Sequence, residues 1–479
     1  GWQLMDWKKD SIFGASVEKA YSELLTGKKS KQVIVAVIDA GLDTAHEDLK
    51  GHVWTNPGEI PGNGIDDDHN GYVDDVHGWN FLGGKDGRYI SSESYEGTRE
   101  YFRLRPIYGN QTDSNAIDPK KRKEFAYWLT LKQDREKDST EQAQDVAFMS
   151  QSLAQSSKAD SFLRRAAQKD TLYPKDIMKI PDSIAGPQKQ EMLGVYKEFH
   201  IGPDQSLEAI IEEEKKYLNE AQSRLDGLAV DPNAQRKDIV GDDPDNINNT
   251  DYGNNNIAAG TPSHGTHVAG IIAATRGNGI GMDGIADNVL IMPIRAVPNG
   301  DERDKDIALA IRYAADNGAR IINMSFGKYY SPGKKWVDEA VEYAEKKDVL
   351  LVHAAGNEGK NMDVEMDYPN PVIESTKKVA KNFITVGAST GGPDSLLAAS
   401  FSNYGQKTVD LFAPGVAIYS TIPGGGYQAY SGTSMATPVV VGIAALIMEY
   451  YPTLSAKQVK FVLENSVLRP TGTKVRVPG

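Results

Sequence analysis

Five short apolar runs rich in β-branched residues are spaced along this chain, with helical patterns between them. The runs are Val33–Ile38 (VIVAVI), Val289–Ile294, Arg320–Met324, Val349–Val352 and Phe383–Val386. A strand apolar at consecutive positions has no face to show to water, so it belongs in a parallel sheet covered on both sides. Helical periodicity marks Thr266–Ala274, Asp304–Asn317, Lys334–Lys347 and Thr437–Tyr450, and Gly318 is suited to close the second. The first 30 residues read as an arm or short helix leading into the first strand. Strands alternating with helices imply an α/β fold: a doubly wound, mainly parallel sheet with helices on both faces.

One stretch interrupts this pattern. From about residue 84 to 256 there is no strand-like run, and Lys, Glu, Gln, Asp and Ser are frequent. Three parts read as amphipathic helices. The first, near Asp118–Lys137, places Phe125, Trp128 and Leu129 on one face. The second starts at Ser139, where Ser139 and Gln142 fit a capping box, and its stripe holds Val146, Met149 and Leu153. The third spans roughly Ser206–Leu228, with Leu207, Ile210, Ile211, Leu218, Ala221 and Leu225 at helical spacing. The expected layout is a first part of the sheet domain over 1–83, a mostly helical insertion over 84–256 and the remainder over 257–479. The insertion reads as packed surface or as a lid.

Composition narrows the function. A net charge of −13 argues against a nucleic-acid partner, which needs a basic surface. There is no cysteine, so disulfides, thiolate catalysis and Cys-based zinc sites are excluded. The longest apolar run, Val439–Met448, is about half of a membrane span, so no transmembrane segment is expected. The first residues lack the basic and apolar regions of a signal peptide.

Four polar residues stand where such a fold puts chemistry. Asp39 ends the VIVAVI run, at the carboxyl end of a parallel strand; an Asp there also serves as a turn former. His264, in SHGTHVAG, opens a helix, and Gly265 permits close backbone approach. His267 is not at metal-pair spacing with an intervening Glu and reads as a packed neighbour. Ser434, in SGTSMATP, precedes Pro438 in a first helical turn, where free N–H groups can stabilise an oxyanion; it also reads as a plain N-cap. Asn357, in AAGNEG, follows another strand and offers an amide donor or a turn. Asp66, Asp68, Asn70 and Asp74 occupy positions 1, 3, 5 and 9 of an EF-like loop with Gly71 at 6. Position 12 is His77, so the readings are a reduced calcium loop or a solvated acidic turn.

The order Asp, His, Asn, Ser, with VIDAGLD, HGTHVAG, NMSFG, AAGNEG, LFAPGVAIYS and GTSMATP, resembles the subtilisin-like serine proteases, or subtilases, over roughly 1–82 and 257–470. The resemblance implies a subtilisin-like fold and a serine endopeptidase acting on proteins or peptides. His264 would take the Ser434 proton, Asp39 would orient His264, and Asn357 with the Ser434 N–H would hold the oxyanion. It also implies one specificity wall at Ser325, Phe326 and Gly327 and another at Ala354, Ala355 and Gly356. The small residues suggest an apolar P1 preference. Ala296–Gly300 would be a second strand-like edge for substrate, and Tyr368-Pro369 matches a cis-proline position. Asp48 and Asn278 would bind a structural calcium ion, with carbonyls of Arg276, Ile280 and Met282, and Gln3 as a further ligand. Secretion or another extracytoplasmic location, and an inhibitory propeptide outside this chain, are part of the same expectation.

Three departures stand out. The residue after Asp39 is Ala40, where relatives carry Ser or Thr, so a hydroxyl donor is missing and activity is expected to be weakened. The Ser434 helix continues Pro-Val-Val-Val-Gly in place of Pro-His-Val-Ala-Gly. The gap from Asp39 to His264 is several times the usual one. A silent binding scaffold and a peptide ligase using the same acyl-enzyme are the competing functions.

Overall fold

A computed structural model describes residues 1–198, 206–227, 232–392, 396–470 and 475. The chain divides into two units, one of residues 1–96 and 233–479, the other of 97–232. Residues 84–96 and 233–256 thus belong with the sheet.

The larger unit holds a seven-stranded parallel sheet. Its strands are β1 (Val33–Asp39), β2 (Trp79–Asn80), β3 (Val289–Arg295), β4 (Ile321–Met324), β5 (Leu350–Ala354), β6 (Phe383–Ser389) and β7 (Leu411–Pro414), in spatial order β2-β3-β1-β4-β5-β6-β7. A separate antiparallel hairpin joins β8 (Ile418–Ile422) to β9 (Gly426–Tyr430). The five predicted runs are all strands of the sheet. The pleat divides β1 between two cores. Val33, Val35 and Val37 pack with the helix Ser263–Ala273 and the helix Thr433–Tyr450. Ala36 and Ile38 pack with the helices Asp304–Asp316 and Lys334–Lys346 on the other face. This is why the run is apolar at every position.

The chain leaves β1 toward β3 on one side and later returns to β4 on the other. Strand order therefore reverses at β1, and the carboxyl ends of β1, β4 and β5 surround the crevice where α/β sheets place ligands. The helix Thr433–Tyr450 starts four residues before the predicted Thr437. It is apolar and long enough to cross a membrane, but 78% of it is buried within the protein.

Residues 233–256 are fastened to the sheet by a buried ionic network. Arg236 donates to Asp242 at 2.6 Å and, with both NH groups, to Asp306 at 2.7 and 2.8 Å. Tyr252 donates to Asp306 at 2.6 Å, and Lys305 donates to Asp242 at 2.8 Å.

The smaller unit is helical. Its longest helix, Arg122–Ala167, runs 46 residues without a break at Ser139. The predicted capping box there does not form: residue 139 is helical, and the neighbouring Thr140 hydroxyl bonds the Glu136 carbonyl at 2.8 Å. Leu131, not Leu129, joins Phe125 and Trp128 in burial; Leu129 is 43% exposed. The third helix spans Leu207–Gly227, with Leu207, Ile211 and Ala221 buried. Leu228 and the side chain of Ile210 lie outside the described residues. A core of Leu163, Ile177, Met192, Leu207 and Ile211 holds several of these helices together.

Candidate active site

Asp39 is the last residue of β1 and is 2% exposed. Its Oδ1 accepts the Ala40 backbone N–H at 2.8 Å. A serine or threonine at position 40 would give this main-chain bond as well, so the hydroxyl donor that Ala40 lacks is a further loss. His264 sits in the first turn of the helix Ser263–Ala273, and its Nδ1 lies 2.8 and 3.0 Å from the two Asp39 oxygens. That contact fixes the proton on Nδ1 and leaves Nε2 as a free base. A Cβ on Gly265 would come within 2.1 Å of the Gly41 carbonyl oxygen, so only glycine lets this helix start against Asp39. Burial opposes protonation of His264, but the charge and hydrogen bond of Asp39 outweigh it and hold its pKa above the ordinary imidazole value. His267 is buried, bonds the Gln428 carbonyl at 3.0 Å and stacks on Tyr430. Burial pushes it down to about 4, so it is a neutral packing residue, as expected.

Ser434 is the second residue of the helix Thr433–Tyr450. Its hydroxyl donates to the Ser325 carbonyl at 3.1 Å, and the Ser325 hydroxyl donates back to the Ser434 carbonyl at 3.0 Å. The Asp39–His264 pair is therefore formed, whereas the Ser434 hydroxyl is turned to Ser325 and must swing to reach His264. Catalytic hydrogen bonds commonly tighten only when substrate is bound.

Asn357 follows β5 and Gly356. Its side-chain oxygen accepts the Thr433 N–H at 2.8 Å and the Thr433 hydroxyl at 3.0 Å. Of the two ends of an amide only the oxygen accepts, so the NH₂ of Asn357 is the group left to donate. The N–H of Ser434, in the first helical turn, has no acceptor within the helix. A side chain on Gly432 would put its Cβ 3.6 Å from Asn357 Nδ2 and 3.7 Å from Ser434 N. Both donors thus border one space, kept open by a glycine.

Ser325, Phe326 and Gly327 leave β4; Ala354, Ala355 and Gly356 end and follow β5. The two strands are paired, with Met324 beside His353, so these segments leave the sheet side by side. Lys328 and Tyr368 exchange two backbone hydrogen bonds, 3.0 and 2.9 Å, and Tyr368-Pro369 is cis. Asn299 already spends its N–H on Ser91 and its C=O on Glu93. Ala296 and Val297 both donate their N–H to the Asp39 carbonyl, at 3.0 and 3.2 Å.

Sequence alone does not single out several positioning residues, although Thr433 and Glu358 lie inside the GTSMATP and AAGNEG motifs. Thr433 clamps Asn357. Buried Asn403 donates to the Ala355 carbonyl and to Glu358, and accepts from the N–H groups of Glu358 and Lys360. Glu358 accepts the Asn357 N–H at 2.9 Å.

The acidic loop is arranged differently from the EF-like expectation. Asp74 spends its carboxylate on the N–H groups of Gly62, Asn63 and Gly64, and Asp66 spends its own on Asn70 and Gly71. Neither converges on a common point. Asp68 instead meets Glu59 and Asp75, one oxygen of each lying within 4.8 Å of the others. Asn70 donates to Asp68 and Asp75. Glu59 Oε2 is buried without a hydrogen-bond partner. Burial raises Asp75 to about 6 despite its bonds from Tyr313, Asn70 and Asn56. In the second predicted site, Asn278 Nδ2 lies 2.6 Å from Asp48, the Met282 N–H 3.4 Å and the Tyr427 hydroxyl 3.3 Å. Asp48 is fully buried with no cationic partner among the described residues, and both amide atoms of buried Gln3 lack partners.

The sequence pattern of the Subtilase family matches residues 30–477, and the chain belongs to that family. Alkaline elastase YaB of Bacillus sp. (strain YaB) is 38% identical over 216 residues, 45% of this chain and 52% of that protein. The thermophilic serine proteinase of Bacillus sp. (strain AK1) is 46% identical over 186 residues, covering 39% of this chain and 42% of its own length. Thermitase of Thermoactinomyces vulgaris is 39% identical over 211 residues, covering 44% and 69%. The chain spans about half the length of several curated relatives it matches.

Proposed function

We propose that the chain is a serine endopeptidase that cleaves protein or peptide substrates through an acyl-enzyme. The observation that carries this reading is the pairing of a base, His264 on Asp39, with an oxyanion space bordered by Asn357 Nδ2 and the Ser434 N–H. Neutral serine is a weak nucleophile, so His264 takes its proton as Ser434 Oγ attacks the carbonyl carbon. Charge builds on the carbonyl oxygen, where two oriented donors stabilise it at no cost of reorganisation. The imidazolium, steadied by Asp39, then protonates the leaving amine; water repeats the cycle to free the acid. An extended substrate pairs with the 325–327 edge through its main chain, which favours broad sequence tolerance.

The same family membership, the absence of cysteine and a relative named a cell wall-associated protease support action outside the cytoplasm. Two places fit a structural calcium ion. Glu59, Asp68 and Asp75 offer converging carboxylate oxygens, one of them orphaned. At the second, Asp48 is a buried anion contacted by Asn278, and the resemblance adds Gln3, whose buried amide has no hydrogen-bond partner. Calcium binds oxygen ligands, so Asn278 would have to turn its amide, and the ion would neutralise the Asp48 charge, which no cationic side chain offsets among the described residues. Casein hydrolysis by the wild type, absent in Ser434→Ala, is the expected result. Wild type that is folded but inert supports the silent scaffold, and joined peptides found by mass spectrometry support a ligase.

A further inference from the structure

The small wall residues suggest an apolar P1 side chain, but carboxylates stand behind the wall glycines. If Gly327 carried a Cβ, it would lie 2.8 and 3.0 Å from the Asp367 oxygens; a Cβ on Gly356 would lie 2.9 Å from Glu358 Oε2. Both walls of the pocket are therefore backed by acid. The Asp367 carboxylate accepts a single hydrogen bond, from the Tyr368 N–H to Oδ1 at 2.9 Å. Its Oδ2 has no partner among the described residues, and no cation pairs with it.

The nearby cations are committed elsewhere. Lys328 Nζ lies 2.7 Å from Glu96 and 3.0 Å from Asp304. Lys360 lies 3.5 Å from Glu365 and over the Tyr329 ring. Burial holds the Asp367 pKa far above the carboxylate range, and the charges of Glu302, Glu358 and Asp301 raise it further. A carboxyl group held neutral among carboxylates, with an open oxygen at a substrate wall, ionises once a cation is brought against it, and no side-chain cation is placed to do so among the described residues.

We infer that Asp367 is a specificity residue that makes lysine or arginine the preferred P1 side chain, the substrate cation supplying the missing partner of the carboxylate. This rests on the endopeptidase reading. Lysine or arginine lies alongside small walls as readily as an apolar side chain does, with its charge at the far end. A site built around a polar partner discriminates more sharply than an apolar slot.

The test is a set of fluorogenic peptides identical except for Arg, Lys, Phe or Leu at P1. For the wild type, kcat/KM for Arg and Lys should exceed that for Phe and Leu by at least about tenfold. Asp367→Asn should lower the Arg-to-Phe ratio by a similar factor, and Asp367→Glu should keep Arg ahead. A merely structural role would change all four peptides together and leave the ratio in place, which overturns the inference. So does a wild type that cleaves Phe or Leu as well as Arg; that result needs no variant to fold. Failure to cleave any peptide removes the endopeptidase reading itself, and this one with it.

Discussion

Asn357 is held by its oxygen and acts through its nitrogen, so its two halves can be separated by mutation. Asn357→Leu should lower kcat by about 10²–10³ with little change in KM, the size found for one oxyanion donor in subtilisin. Thr433→Val keeps the backbone N–H that anchors the amide and loses only the hydroxyl, so its loss should be smaller. Steady-state kinetics on one peptide checks both. His264 must be neutral to act as a base, so kcat/KM should rise with pH through its pKa, which lies above the ordinary 6.5. Asp39→Asn removes both influences that raise that pKa and leaves the burial that lowers it. The acidic limb should therefore move to lower pH, while kcat falls by about 10⁴ as the required tautomer is lost. A pH–rate profile of the two proteins reads both effects.

At the scale of elements, the segment 233–256 depends on the Arg236 network. Asp306→Ala removes two of the bonds to the Arg236 guanidinium and leaves Tyr252 without its acceptor. Leaving a buried charge short of its partner costs about 3–5 kcal/mol, to be measured by urea unfolding. The elements readable in the sequence were those whose burial is total: β1 and β3 to β6 are apolar at nearly every position because both faces are covered. The two-residue β2 and the hairpin β8–β9 follow from pairing with neighbours and leave too short a pattern to read. The predicted break at Ser139 failed because Ser and Gln spaced for a cap also sit comfortably on an exposed helical face. The site was legible where a residue type states its chemistry, as at Asp39, His264, Asn357 and Ser434. It was not legible where the role comes from a tertiary approach: Asp367 reaches Gly327 only across the Lys328–Tyr368 pairing, and Glu59 and Asp75 join Asp68 only through the loop's turns.

For the whole molecule, the net charge is −13, and some of its carboxylates are buried; Asp48 is one that has no cationic partner among the described residues. An ion bound at a hundred times its Kd adds about 2.7 kcal/mol to stability. Chelation should therefore lower the thermal midpoint by roughly 3–8 °C, and Asp48→Asn and Asp68→Asn should each reduce that difference. An unchanged midpoint after chelation would remove both calcium sites from the account. Everything proposed for catalysis depends on Ser434 being a nucleophile activated by His264 and Asp39. A fluorophosphonate probe, with the labelled peptide mapped by mass spectrometry, addresses it directly. Covalent labelling at Ser434 is expected, lost in His264→Ala and in Ser434→Ala; folded wild-type protein that stays unlabelled at Ser434 would contradict a nucleophilic Ser434.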